Sequence, residues 1–438
     1  MSRHRSLLVL GILLLAALAP IPSLGDLRLR VGALLALWAA AHVVYAAAAW
    51  LVARPDDARP RARARIWIVI GVAVAARAVF IPAQPTLSED VYRYLWDGRL
   101  VARGVNPYLH APADSALAPF HDQLLRQLNH FDVPTIYPPA AQLLFGAVAR
   151  VEVSTLAFKL ATIPLEVALW IAIVFLLRRR GLPSERLLLF AWNPLVLIET
   201  YASGHLDLWM AAFLLMALAM LEARRALSAG AVFAMAVMTK YTPLLLLPFM
   251  IRRRLWSCVA VAGAVSLLLL VPFWSAGPSL WTGLKTYLEH WEFNGSLYKL
   301  LRALGAGDAA ARQSLAVALT GAVIVVSLRA RNAAGAALAL WTAYLIASPT
   351  VFPWYLVPVA ALLPLYPSAS MIAFSGLVAL SYLPLPAYHQ TGRWTLPSWI
   401  PWVEYGGWAA TAMAAWWMAR RAGAQSRRAA WNKDTAPT

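Results

Sequence analysis

Apolar runs of about 20 residues recur along almost the whole chain, and no other feature constrains its fold so strongly. A helix of this length crosses the ~30 Å hydrocarbon core of a bilayer. Hydrophobic residues make up 61% of the 438 residues and charged residues only 13%. We therefore expect an all-α, polytopic membrane protein, a single transmembrane domain over residues 1–438 with roughly 12 to 14 membrane-spanning helices.

Arginines occur in short clusters between these apolar runs. The formal net charge of +18 would also suit a nucleic-acid-binding protein. Such clusters, however, are typical of the cytoplasmic loops of membrane proteins, so we expect no nucleic-acid partner and place both termini in the cytoplasm. The clusters are Arg3 and Arg5, Arg54–Arg65, Arg178–Arg180, Arg224 and Arg225, Arg252–Arg254, Arg329 and Arg331, and Arg420–Arg428.

If successive predicted helices cross the membrane in alternate directions, the arginine clusters all fall on the cytoplasmic side with one exception. Residues 228–251 have the length of one span, but a single crossing would put Arg252–Arg254 on the wrong side. A break at Lys240–Pro243, where proline removes a backbone donor, would make two short helices that enter and return, with Lys240 near the outer surface or in a cavity. The other predicted spans are 6–24, 31–53, 66–82, 153–177, 186–201, 205–221, 255–273, 314–329, 334–349, 354–367, 369–384 and 402–419.

Three polar and aromatic segments then share the extracytoplasmic side. The first contains SEDVYRYLWDGRLVARGVNPY, residues 88–108, whose apolar spacing predicts a helix on the membrane surface. Its acids have an ordinary explanation as helix caps, with Ser88 at the N-cap and Asp97 paired with Arg93 one turn earlier. Spacing alone leaves this explanation open beside a functional one. The three segments are residues 83–135, 274–312 and 385–401.

Five motifs resemble the C-type integral-membrane glycosyltransferases, and within them the bacterial polyprenol-phosphate-mannose-dependent α-mannosyltransferases and a related family formerly classed as a domain of unknown function. The order of the motifs matches from about residue 66 to residue 360. The resemblance implies the C-type fold, a large first extracytoplasmic loop, and a multi-pass protein of the plasma (inner) membrane with its active site outside. The motifs are residues 88–108, TIYPPAAQLLFG (135–146), SGHLDLW (203–209), TKYTPLLLLP (239–248) and SPTVFPWY (348–355).

The same resemblance implies an inverting transferase. Such an enzyme moves a hexose, here mannose by analogy, from a polyprenyl-phosphate donor to a glycan, lipid or glycolipid acceptor, and a β-linked donor gives an α-linked product. Because a polyprenyl phosphate is a good leaving group, one carboxylate suffices to deprotonate the attacking hydroxyl. The family carries this base in the first large loop, where Glu89 and Asp90 match it. The match does not decide between the two, although Asp90 is favoured.

The donor phosphate needs a cation, and the candidates are Lys240, Arg77 and Arg393. Lys240 is favoured because the predicted break would direct it into the cavity. Asp97 is expected either to hydrogen-bond the acceptor or to brace Arg99. The remaining candidate substrate-binding residues are His205 and Asp207 in the Gly-His-x-Asp stretch, Arg93, and Tyr137, which precedes two prolines, Pro138 and Pro139, that predict extended, non-helical backbone.

Two other classes of protein share some of these features. A transporter or flippase of lipid-linked saccharides would also have a broken helix and a lysine in a cavity, but the acids here concentrate in a loop. A surface-polysaccharide polymerase or ligase usually carries its essential Arg and His residues in late loops. We expect no cofactor and no bound metal, although Glu89 with Asp90 could hold a divalent ion weakly, because His110, His290 and His389 lack metal-ligand spacing.

Overall fold

The computed structural model describes residues 3–54 and 62–434, and within the second range it describes the side chains of residues 65–418, 420 and 421. Secondary structure in these parts of the chain is helical, and β-type pairing is limited to isolated bridges from Phe293 and Asn294 to Thr350. The prediction of an all-α polytopic membrane protein is confirmed. Parts of the clusters Arg54–Arg65 and Arg420–Arg428 lie outside the described residues.

The N-terminal part of the chain forms ten described α-helices that build one side of the bundle and its centre. The short helices α7 and α8 are completely buried, and the longer α9 is buried over most of its length and packs against α6 and α10. These helices are α1 (Arg3–Leu18), α2 (Val31–Ala53), α3 (Ala62–Phe80), α4 (Asp90–Ala102), α5 (Pro139–Val151), α6 (Thr155–Arg179), α7 (Leu188–Ala191), α8 (Pro194–Leu197), α9 (Asp207–Glu222) and α10 (Ala226–Thr239).

The C-terminal part adds further helices, several of them extended by short 3-10 turns. One of these turns joins α12 to α13 through Gly277, whose φ of 51° favours glycine. The helices are α11 (Leu247–Arg252), α12 (Trp256–Leu270), α13 (Thr282–His290), α14 (Ser296–Ala303), α15 (Asp308–Arg329), α16 (Ala333–Ala347), α17 (Val357–Leu362), α18 (Ala369–Leu377), α19 (Leu385–Thr391) and α20 (Trp399–Asp434).

Six helices in the described residues could cross a membrane by length and composition, fewer than the roughly 12 to 14 predicted. Several predicted spans are built from shorter pieces. Residues 186–201 form α7, α8 and a π-helical turn, because the Asn193 side chain caps α8 and Pro194 begins it. Residues 354–367 shorten to a 3-10 turn and α17, each with a proline near its start.

Apart from Arg420 and Arg421, the described arginine clusters lie in loops that are linked by side-chain contacts at one end of the bundle. Arg65 pairs with Glu185 at 3.2 Å. Arg180 pairs with Glu222 and donates to the Tyr366 hydroxyl at 2.9 Å. The neighbouring contacts at this end are Arg3 to the Leu51 carbonyl at 2.5 Å, Tyr366 to Asn332 at 2.6 Å, and Arg253 to the Ala330 carbonyl at 2.5 Å.

The three loop segments predicted to share a side also come together. Segment 83–135 carries α4, segment 274–312 carries α13 and α14, and segment 385–401 carries α19. All three contribute side chains to one cavity. The Asn106 amide of the first segment also donates to the Phe273 carbonyl at 3.2 Å, next to the start of the second.

The predicted helix break at Lys240 is confirmed. Helix α10 ends at Thr239, and Lys240 is extended, with φ −156° and ψ 132°. A 3-10 turn then starts at Thr242 with Pro243 in its first turn, where a missing N–H costs nothing. The expectation for the other proline pair holds only in part, because Pro138 is extended but Pro139 begins α5.

Candidate active site

The three loop segments enclose a cavity of about 1330 Å³. The starts of α4 and α9 and the break at Lys240 form its charged wall. An aromatic wall, which reaches Lys240 at Tyr355, presents flat apolar faces with polar edges, the surface that stacks on sugar rings. The aromatic lining residues are Tyr94, Tyr137, Tyr241, Tyr287, Trp291, Phe293, Tyr344, Phe352, Trp354, Tyr355, Tyr382, Tyr388 and Trp394.

Asp90 is the first residue of α4 and lines the cavity, with 22% of its side chain exposed. The Ser88 hydroxyl accepts from the Asp90 backbone N–H at 3.2 Å, so the capping role falls to Ser88 and not to either acid. The Asn129 amide approaches the Asp90 carboxylate at 3.5 Å. Burial raises the pKa of Asp90 to about 6. Asp90 is therefore a stronger base than an ordinary aspartate and remains ionised at neutral pH.

Glu89 also lines the cavity, but its carboxylate is already engaged. Arg28 donates to it at 2.8 Å and is itself held by Asp26 at 2.9 Å. The Glu89 side chain is 35% exposed, more than that of Asp90. The sequence analysis missed Arg28, which lies 61 residues before Glu89 and belongs to none of the motifs. The structure therefore distinguishes the two neighbouring acids and supports the preference for Asp90.

Lys240 and Asp207 form an ion pair on the cavity wall, with Nζ 2.6 Å from Oδ1. The Lys240 ammonium also lies 4.0 Å from the centre of the Tyr355 ring. Asp207 is nearly buried at 3% exposure, whereas the Lys240 side chain is 23% exposed. An ammonium has three donors, and Asp207 takes one of them, so Lys240 is held in place and still able to bind an anion.

Arg93 lines the cavity, whereas Asp97 lies behind it and braces the loop. The predicted pair one helical turn apart is present, with Arg93 Nε 2.9 Å from Asp97 Oδ1. Thr135 and Gln142 donate to the second oxygen at 2.5 and 3.0 Å. Asp97 is 1% exposed and does not line the cavity, so the expectation that it contacts the acceptor is wrong. It does not brace Arg99 either, because Arg99 pairs with Asp122.

His205 lies behind the cavity wall. Its ring is stacked on Trp354 with centroids 3.6 Å apart, and Trp354, not His205, lines the cavity. The side chain is only 1% exposed. The Gly-His-x-Asp stretch led us to expect that both residues contact substrate. Trp354 separates His205 from the cavity, whereas Asp207 lines it.

Two of the three candidate phosphate ligands are not on the cavity wall. Arg77 is buried and donates to both oxygens of Glu166, at 2.5 to 3.2 Å, and to the carbonyls of Ala73 and Ala191. The guanidinium group of Arg77 therefore makes its hydrogen bonds inside the protein core and not toward a phosphate in the cavity. Arg393 is exposed on the segment after α19 and is absent from the cavity lining. Only Lys240 of the three remains a candidate.

An apolar groove continues from the charged wall of the cavity. One side is formed by the 3-10 turn after Lys240 and the start of α11, and the other by α15. The residues of this groove are Leu244, Leu245, Pro248, Leu319, Thr320, Val323 and Ile324. Helix α15 is largely exposed along its length, with Val317, Ile324, Val325 and Leu328 among its exposed apolar residues. A cavity with a charged end and an apolar groove suits an amphipathic ligand.

Residues 4–256 match the family described as alpha-(1→6)-mannopyranosyltransferase, N-terminal domain. The chain belongs to this mannosyltransferase family. No curated protein gives a sequence match. The matched region contains Glu89, Asp90, Asp207 and Lys240, and it ends before α13, α19 and most of the aromatic wall.

The family and the helices together make this protein a membrane-embedded glycosyltransferase of the mannosyltransferase type. In the part of the chain that the structure describes, no group of three or more His, Cys, Asp or Glu side chains is arranged to hold a metal ion. The expectation that no metal or cofactor takes part stays a prediction.

Proposed function

We propose that this protein transfers a mannosyl residue from a polyprenyl-phosphate donor to a hydroxyl group of a glycan, lipid or glycolipid acceptor. The reaction takes place at the extracytoplasmic face of the plasma membrane and inverts the anomeric carbon. The observation that carries the proposal is the Asp90 carboxylate, which faces the cavity without a cationic hydrogen-bond partner in the described residues.

Asp90 acts as the general base. The acceptor oxygen attacks the anomeric carbon while its proton passes to the Asp90 carboxylate. The bond from the anomeric carbon to the phosphate oxygen breaks, and polyprenyl phosphate leaves with the electron pair. A single base is sufficient for this step because the leaving group needs no proton. Glu89 is less suited to the role because Arg28 occupies its carboxylate.

The apolar groove supports a lipid-linked donor. A prenyl chain in the groove between α11 and α15 would place its phosphate at the charged end, where Lys240 stands next to the groove residues Leu244 and Leu245. Asp207 fixes the Lys240 ammonium at 2.6 Å and leaves two of its donors for phosphate oxygens. A nucleotide-sugar donor has no prenyl chain to occupy this apolar groove.

The positive-inside rule supports the proposed extracytoplasmic location. The described arginine clusters and the cavity segments occupy different loops, and clusters of arginine favour the cytoplasmic side. Ser115 is exposed in the first cavity segment, so a cysteine introduced there should react with an impermeant reagent in intact cells. Labelling only after permeabilisation would place the cavity on the cytoplasmic side.

Sugar transfer by the purified protein in proteoliposomes tests the function. We expect label to pass from polyprenyl-phosphate-[¹⁴C]mannose to an added mixture of lipid and glycan acceptors, and no transfer from GDP-mannose. The Asp90→Asn variant should insert normally and transfer little. Uptake of label into the vesicle lumen without transfer would contradict the proposal and support a transporter of lipid-linked saccharides.

A further inference from the structure

The His205 ring lies between two carboxyl groups. Its Nδ1 is 3.7 Å from the Asp90 carboxylate, and its Nε2 is 3.5 Å from Oε2 of Glu199. Neither ring nitrogen has a hydrogen-bond partner, and the side chain is 1% exposed. Unpartnered buried polar atoms are rare and costly, and both gaps are less than 1 Å longer than a hydrogen bond. Contacts of this kind often tighten only when substrate binds.

Glu199 is placed to control this ring. It is fully buried in the π-helical turn Ile198–Ala202, a type of turn that is frequent at functional sites. The Tyr382 hydroxyl donates to its Oε1 at 2.9 Å, while Oε2, the oxygen that faces His205, has no partner. The backbone N–H of His205 also donates to the Glu199 carbonyl at 3.0 Å. This hydrogen bond links the two residues into one structural unit.

The backbone holds this unit against α4. Gly204 has φ +80°, and a Cβ there would lie 3.0 Å from the Val91 side chain. Glycine thus permits both the left-handed turn and the close approach to the residue after Asp90. On its other face the His205 ring is covered by Trp354. Packing on both sides therefore restricts movement of the His205 ring, and its two nitrogens face the two acids.

A neutral imidazole has one donor and one acceptor, so it cannot donate to both acids at once. If Nδ1 carries the hydrogen, it donates to Asp90, and Nε2 must then accept a hydrogen from Glu199. Complete burial favours the protonated form of Glu199, which accepts from Tyr382 at Oε1 and supplies that hydrogen from Oε2. The opposite tautomer would turn the Nδ1 lone pair toward the Asp90 carboxylate, which is repulsive.

We propose that His205 is a positioning residue for the base, with Nδ1–H donating to Oδ2 of Asp90 and Nε2 accepting from a protonated Glu199. This inference rests on the proposed function, in which Asp90 receives the acceptor proton. Because His205 holds one carboxylate oxygen, the other, next to Asn129, is directed into the cavity toward the acceptor hydroxyl. The acceptor proton therefore goes to the oxygen that His205 does not hold.

The pH profile of transfer tests this arrangement. Loss of a donor to an ionised carboxylate raises its pKa, so the acid limb of kcat/KM in His205→Phe should move upward by roughly one to two pH units. Phenylalanine keeps the ring against Trp354. The groups that face Asp90, and that stay unchanged in this variant, are Glu89, Asn129, Lys240, Asp207, Glu199 and the phenols of Tyr94, Tyr137, Tyr287 and Tyr382.

His42→Phe is the matched control, because His42 is also a buried histidine but contacts Ser375, away from the cavity. Its acid limb should coincide with that of the wild-type protein. A His205→Phe variant that loses rate equally at all pH values, with its acid limb in place, would overturn the inference and leave Asp90 as the base. Absence of transfer by the wild-type protein would instead contradict the proposed function itself.

Substitutions of Glu199 test the tautomer. Glutamine can accept from Tyr382 and donate to His205, as a protonated glutamate does, whereas leucine can do neither. We expect Glu199→Gln to be at least tenfold more active than Glu199→Leu. Equal losses in both variants would contradict a protonated Glu199.

The ring ¹⁵N signals of His205, assigned by their loss in His205→Phe, provide a readout that needs no activity. They should show the Nδ1–H tautomer in the wild-type protein. An Nε2–H tautomer would overturn the inference. This test does not depend on whether the Glu199→Leu variant accumulates.

Discussion

Two carboxylates of this chain, Glu166 and Asp90, are largely withdrawn from solvent but differ in how fully they are paired. Glu166 accepts from Arg77 through both oxygens and from the Tyr201 hydroxyl at 2.5 Å, in a closed network. Asp90 has a 3.5 Å contact from Asn129 and, among the described residues, His205 as the one basic group within 4.0 Å, at 3.7 Å. The comparison indicates that a charged side chain is the stronger functional candidate where its pairing is incomplete and it lines a cavity.

The largest effect is expected for Asp90→Asn. The amide keeps the shape of the side chain but cannot accept the acceptor proton, and loss of a general base typically lowers the rate about 100- to 10,000-fold. Transfer from polyprenyl-phosphate-mannose should fall by this factor while the amount of inserted protein is unchanged. Near-wild-type transfer by folded Asp90→Asn would place the base elsewhere.

Disruption of the Arg77–Glu166 pair should lower stability and leave the transfer rate per folded molecule unchanged, which is the opposite of the result expected for Asp90→Asn. Glu166→Gln leaves the Arg77 guanidinium buried and uncompensated, which typically costs about 3–5 kcal/mol of stability. We expect a lower unfolding temperature in detergent and less accumulated protein, with the transfer rate per folded molecule retained. The double variant Arg77→Met with Glu166→Leu should recover much of the stability, because the charge is removed with its partner. If that double variant instead lost affinity for the donor while remaining folded, Arg77 would again be a candidate ligand of the donor phosphate.

Lys240→Met should lower donor affinity by an intermediate factor, measured per folded molecule because the variant also leaves nearly buried Asp207 without its partner. Methionine keeps the apolar stem, and loss of a charge-assisted hydrogen bond to phosphate costs about 1.5–3 kcal/mol, or roughly 10- to 150-fold in apparent donor affinity. The matched control is Lys285→Met, since Lys285 is 75% exposed and pairs loosely with Glu289 at 4.0 Å. Unchanged donor affinity in Lys240→Met would remove Lys240 from the binding site.

The smallest effect is expected for Glu89→Gln. Its partly exposed ion pair with Arg28 is of a type that contributes about 0.2–1 kcal/mol, so transfer should fall less than about fivefold. Initial rates at saturating donor measure this directly beside Asp90→Asn. A large loss in Glu89→Gln with activity retained in Asp90→Asn would exchange the roles of the two acids.

Features written in local sequence were predictable. The break at Lys240 follows from Pro243, the pairing of Arg93 with Asp97 from their spacing of four, and the common side of the three loop segments from the arginine clusters. Each depends on residues within about one turn or on a rule of charge counting.

Features that depend on tertiary contacts were not predictable. Arg28 reaches Glu89 across 61 residues, and Arg77 reaches Glu166 across 89. Without those contacts, Glu89 could not be separated from Asp90, and Arg77 could pass for a phosphate ligand. The π-helical turn that carries Glu199 has no sequence signature, so the contacts of His205 could not be foreseen.

The pH dependence of sugar transfer by the wild-type protein tests the central claim most directly. Burial raises the pKa of Asp90 to about 6, and a base must be ionised to accept a proton. We therefore predict that kcat/KM for the polyprenyl-phosphate donor is level above about pH 7 and falls as the pH drops through about 6, approaching tenfold per pH unit. A rate that stays level down to pH 4.5, with the protein still folded, would show that the Asp90 carboxylate is not the base.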